Sequence, residues 1–146
     1  MKKENLTDEH LIFQDAAKAF FEKEMKPNNE QWEKDGIVSR DIWLKAGSNN
    51  FFGIDVPEEY GGMGLDDYRY NTILIEESVK AENPGFGHSV QNDLVVPYLL
   101  RHTTEEQKKR WLPKNMYWRN YWCFSDDRTW WRQRCSCYKN ISKRYG

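Results

Sequence analysis

YRYNTILIEESVKAE, Tyr68 to Glu82, is an apolar-rich helical run of residues 1–114 and sets what the others must cover. Ile73, Leu74 and Ile75 follow one another, and Tyr70, Val79 and Ala81 carry the apolar surface beyond a single stripe. At 3.6 residues per turn, such a run is apolar on more than one face, which is the pattern of a helix buried among neighbours. Asp66 or Asp67 starts it. The question is then what the rest of the chain offers to cover it.

Upstream the cover is helical. Thr7 is a plausible N-cap, with Leu6 and Leu11 placed to form a hydrophobic staple. Phe13, Ala16, Ala17, Phe20, Phe21 and Met25 then recur at helical spacing up to Pro27. NNEQWEKDG (28–36) reads as a short helix closed by Gly36 and anchored by Trp32. Ser39 caps RDIWLKAG (40–47), with Ile42, Trp43 and Ala46 in one stripe. FFGIDVPEEYGGMGLDD (51–67) is a connection, because Pro57, Gly61, Gly62 and Gly64 prevent regular structure. Downstream, HSVQNDLVVPYLLRH (88–102) is a helix with a kink expected near Pro97, and Thr103 with Glu106 forms a capping box for TEEQKKRWL (104–112). Residues 1–114 therefore read as all-α, an orthogonal or up-down bundle of about six helices without a strand.

Composition divides the chain. The formal charge of −1 conceals fifteen Lys/Arg against twenty-one Asp/Glu in residues 1–114, and seven against two in residues 115–146. Those last residues hold four of the seven tryptophans and all three cysteines, but no Leu, Val, Ala, Glu or Pro. A tail so composed is expected to be disordered or irregular. No apolar run approaches the eighteen or so residues that cross a bilayer, and MKKENLTDEHL is too charged for a signal peptide, so the expected location is cytoplasmic.

Several stretches resemble the N-terminal helical domain of the acyl-CoA dehydrogenases, most closely the long-chain type. They are the VPEEYGG turn within residues 51–70, the ILIEE helix, GFGHSVQNDLVVPYLL and TTEEQKKRWLPK, in the expected order across residues 6–114. The resemblance implies FAD-dependent α,β-dehydrogenation of fatty acyl-CoA in β-oxidation: a carboxylate removes the α-proton, and the β-hydrogen leaves as hydride to the flavin. It also implies fatty acyl-CoA and an electron-transferring flavoprotein as partners, and a homo-oligomer. In the family this domain is followed by a β-barrel domain opening with a stretch such as GEIIGAFAMTEPGAGSD, and by a C-terminal helical domain that supplies the base. Carried over, the acyl-chain wall falls on Phe86, Val90 and Leu94, spaced i, i+4, i+8. No catalytic, cofactor-binding or metal residue is assigned, and the chain alone is expected to be inactive and without FAD.

The tail departs from that pattern at Asn115. Read one base further on, Trp118, Trp122, Trp130 and Trp131 all become Gly, since TGG without its first base leaves GG. Synonymous choices elsewhere permit CTGEIIGAFxMTEPGGGSD over residues 116–134, and three of the four forced glycines fall where the family motif has Gly. A one-base frameshift after Lys114, making 115–146 an aberrant tail, is therefore the expectation. The alternative is a helical binding module whose basic, aromatic tail contacts nucleic acid.

Other signals carry blander readings. Cys123, Cys135 and Cys137 with His102 lack the spacing of a zinc knuckle. YGGMG (60–64) lacks the strand that a phosphate loop requires. His88 reads as a polar residue near a helix start, and Glu76 with Glu77 as a structural pair.

Overall fold

The computed structural model describes residues 5–82 and 84–116; the readings that fall on 117–146, including the irregular tail, the cysteine cluster and the nucleic-acid contact, lie outside them. Every regular element among the described residues is helical. Helix α1, Asp8–Phe20, opens on Thr7, as expected. The reciprocal partner is His10, whose Nδ1 accepts the Thr7 N–H at 3.3 Å and lies 2.6 Å from the Thr7 hydroxyl. Leu6 packs on the core but Leu11 stays 37% exposed, so the staple is not where the sequence suggests.

Pro27 does not end the helix abruptly. A π-turn over Phe21–Met25 and a 3₁₀ turn over Lys26–Asn28 lead into α2, Asn29–Asp35, which Gly36 closes at φ 66°. Trp32 anchors α2 while only partly buried. Helix α3, Arg40–Ser48, buries Ile42 and Ala46. Helix α4, Arg69–Lys80, buries Tyr70, Asn71, Ile73, Leu74, Glu77 and Ser78 on one broad face, and Val79 stays 68% exposed, so the apolar surface read as many-sided is covered on one side only. Asp67 precedes it and accepts the Arg69 backbone N–H at 3.0 Å, while the Arg69 guanidinium holds the Asp67 carboxyl well below the usual carboxylate range.

α1 and α4 run in the same direction, because His10 stacks on Tyr70 at 4.3 Å and Gln14, a turn later, donates to Glu77 at 2.8 Å. Glu77 is 3% exposed and also receives Lys80, so its role is structural as read. The main core lies between α1, α3, α4 and the segment Phe51, Phe52, Ile54. A second core joins Val56 and Tyr60 to α5, Val96–His102, and α6, Glu105–Met116, through Val96, Leu99 and Leu112. The capping box of α6 lies one residue later than expected. Thr104 exchanges bonds with Gln107, whereas Thr103 turns back to the Leu99 carbonyl at 2.6 Å.

The glycine turn folds on itself. The N–H groups of Gly61, Gly62, Met63, Gly64 and Leu65 all donate to carbonyls between Gly53 and Glu58. A Cβ on Gly62 would sit 2.2 Å from the Val56 carbonyl oxygen, so backbone passes where a side chain would be. Gly62→Ala is expected to lower unfolding free energy by about 3 kcal/mol in urea melts. Gly36→Ala, positive in φ but open on all sides, should cost only about 1 kcal/mol.

Candidate functional site

The helix over residues 88–102, called the wall helix because the resemblance carries the acyl-chain wall onto it, is built around a proline. Pro97 lacks an N–H and its ring would strike the carbonyl four residues back, so the turn before it widens: Val90–Val95 is a π-turn and the Val96 N–H reaches Gln91 O. A π-turn therefore stands where a kink was expected near Pro97. The widening decides which residues face inward. Gln91, Asn92, Val95, Val96 and Leu99 are buried, while Val90, Leu94 and Tyr98 are 48%, 46% and 60% exposed.

Polar bonds fix the inner face. The Asn92 amide donates to Phe51 O at 2.8 Å and to Asn71 Oδ1 at 3.2 Å, and its Oδ1 accepts the Gly53 N–H at 3.4 Å. Gln91 donates to Asn115 Oδ1 at 2.9 Å. One buried amide thus ties the wall helix to α4 and to the chain leading into the glycine turn. Its neighbour Asp93 faces Tyr68, whose hydroxyl bonds the carboxylate; burial nonetheless pushes the Asp93 and Asp55 carboxyls up.

Of the three residues carried over as an acyl-chain wall, Val90 and Leu94 stand on the exposed ridge. Phe86 does not share it. It belongs to a 3₁₀ turn, Pro84–Phe86, separated from the helix by Gly87 at φ 62°, and is 1% exposed between Trp43, Phe52 and Phe21. The ridge is instead continued by Tyr98, which the sequence reading missed although it lies four residues beyond Leu94. His88 stands at the start of the helix, as read, but buried among aromatic rings instead of facing solvent. It is 6% exposed, stacked on Phe86 with its Nε2 unpartnered, and burial pulls its pKa down to about 4.

No cluster of three metal-ligating side chains exists among the described residues, and none of their helices is long and apolar enough to cross a membrane. The glycine turn does not fit the pyrophosphate of a flavin nucleotide, because its N–H donors are already engaged.

A family model described as the acyl-CoA dehydrogenase N-terminal domain matches residues 7–116. The chain belongs to the acyl-CoA dehydrogenase family. The mitochondrial long-chain specific acyl-CoA dehydrogenase of Sus scrofa is 39% identical over 108 residues, 74% of this chain and 25% of its own length. The crystal structure of acyl-CoA dehydrogenase from Geobacillus kaustophilus superposes with a TM-score of 0.73 at 41% identity, covering 77% of this chain and 30% of that one. An acyl-CoA dehydrogenase from Bacillus anthracis, solved in complex with FAD, gives 0.67 at 27% identity over 80% of this chain and 20% of its own. The chain spans about a quarter of the curated relatives' length, and the match falls on the helical domain of the acyl-CoA dehydrogenase fold.

His88 gives this acyl-CoA dehydrogenase domain a pH signature. Its folded pKa lies below its unfolded value near 6.5, so the unfolded chain takes up the proton first as pH falls. The stability at issue is fully present above about pH 6.5 and is lost progressively down to about pH 4, up to about 3 kcal/mol. Asp55 and Asp93, raised by burial, act in the opposite sense. The measurement is therefore the difference between wild type and His88→Leu in urea melts across this range, since the carboxylates contribute equally to both.

Proposed function

We propose that residues 7–116 supply the acyl-chain wall of an FAD-dependent acyl-CoA dehydrogenase acting on fatty acyl-CoA thioesters, with the flavin contacts and catalytic carboxylate supplied by further domains of the family fold. The observation that carries the proposal is the ridge of Val90 and Leu94, extended by Tyr98: apolar and exposed on a helix whose opposite face is fastened by buried hydrogen bonds. Large apolar side chains forfeit about 1.5–3 kcal/mol each when left in water. A rigidly presented row of them is suited to a hydrocarbon chain. Phe86 backs the first turn of the wall from within and sets how far the preceding loop can recede. An electron-transferring flavoprotein accepts the electrons in this reading, and the 146-residue chain by itself neither holds FAD nor turns over acyl-CoA.

The interruption after Lys114 belongs to the same proposal. Asn115 is 1% exposed on α6, and its Nδ2 is a buried donor without a partner among the described residues. Such an orphan costs about 1–3 kcal/mol. Both Asn codons, AAT and AAC, followed by the A of ATG, become ATA or ACA when read one base on. Ile or Thr then stands in the buried site; Ile would carry no orphaned donor but would leave the buried Gln91 amide without its acceptor, whereas the Thr hydroxyl could accept from it. The tryptophan excess of residues 115–146, not the packing at residue 115, supports the shifted frame.

Sequencing DNA across the Lys114 and Asn115 codons is expected to show the single-base change; an intact frame, with no related coding downstream, would refute the shift. In protein expressed from the restored frame, flavin absorbance and dye reduction by palmitoyl-CoA are expected. Val90→Glu should then shift preference to shorter acyl chains, lowering kcat/KM for palmitoyl-CoA at least about tenfold while sparing a short-chain substrate. Equal loss for both lengths would remove Val90 from the wall.

A further inference from the structure

Away from the wall, a groove of about 260 Å³ opens between the end of α2 and the turn after α4. Trp32 and Val38, both packed on the main core, form its floor, and Ile37 stands beside them half exposed. Its charged lining residues are Glu33 on α2 and Glu82 beyond α4. Both are exposed, and neither carboxylate has an ion-pair or hydrogen-bond partner among the described residues. Lys34, the cation beside Glu33 in sequence, approaches Glu30 at 4.0 Å.

The rim is also held in place. Asn29 donates its amide to Ala81 O at 3.0 Å and to Glu82 O at 3.1 Å, and Glu82 sits at φ 57°. A non-glycine residue pays steric strain in that left-handed region, where Gly would be at ease. Here the position beside the groove carries a carboxylate instead.

The groove is smaller than the roughly 300 Å³ at which small-molecule sites begin, and two uncompensated carboxylates repel phosphates and other anions. What fits an apolar floor with an anionic rim is one side chain with an aliphatic stem and a cationic tip. Arginine satisfies this better than lysine, because its planar guanidinium stacks on an indole while its forked N–H groups meet carboxylates. We propose that this groove docks an arginine side chain presented by a partner protein, at a site separate from the acyl-chain wall.

The test is amide NMR on the full 146-residue protein with N-acetyl-arginine methylamide as the probe, alongside its neutral citrulline and leucine counterparts. The arginine probe is expected to shift the Gly36 and Gly85 amides and the Trp32 indole with millimolar saturation. Citrulline should bind about fivefold more weakly, the effect of losing two exposed ion pairs. The double variant Glu33→Gln, Glu82→Gln should abolish that difference while leaving the spectrum otherwise unchanged. Equal titration by arginine and citrulline, stronger shifts with leucine, or no shift at all would overturn the assignment.

Discussion

The side chain of Asn92 is the constraint from which the rest of the arrangement follows. It is 2% exposed and spends its carbonyl on Gly53 and its amide on Phe51 and Asn71, which belong to two different parts of the fold. A buried amide with its partners in place adds little net stability, but one deprived of them costs about 1–3 kcal/mol. The wall helix can therefore dock in one rotation only. That rotation leaves Val90, Leu94 and Tyr98 outside, and the outward row is a consequence of the inward bond.

Proline enforces the same rotation by a different route. Pro27 and Pro97 are both preceded by a five- or six-residue π-turn, and in each case a backbone N–H reaches one residue further back than in an α-helix. The widened turn moves the carbonyl away from the proline ring without breaking the rod. Before Pro97 it also slips the register by a fraction of a turn, which brings both Gln91 and Asn92 inward. Two adjacent polar residues could not both be so deeply buried without partners on two sides, and Asn115 and Asn71 provide them.

The all-helical fold was legible because apolar periodicity is long-range information repeated over many residues. Helix ends were less so. Thr103 with Glu106 and Thr104 with Gln107 both satisfy the capping-box pattern, and only the Leu99 carbonyl, which claims the Thr103 hydroxyl, decides between them. The row of Phe86, Val90 and Leu94 assumed one continuous helix. Gly87, at a positive φ, ends that continuity, and a glycine's conformation is invisible in its letter. The burial of His88 was hidden for a related reason: flanked by Gly87 and Ser89 it looks exposed at the helix start, yet it lies against Phe21 and Phe86. The phosphate loop could be dismissed on the missing strand alone, and the structure adds that the loop's N–H groups are already occupied.

The central claim is that the exposed row on residues 88–102 is a surface for hydrocarbon. Its most direct test is photolabelling of frame-restored protein by a long-chain acyl-CoA bearing a diazirine at the end of its chain, followed by peptide mass spectrometry. The account predicts that the label concentrates on the segment containing Val90 and Leu94, and that excess unlabelled palmitoyl-CoA displaces it. Label spread over other helices, or undiminished by the competitor, would contradict it.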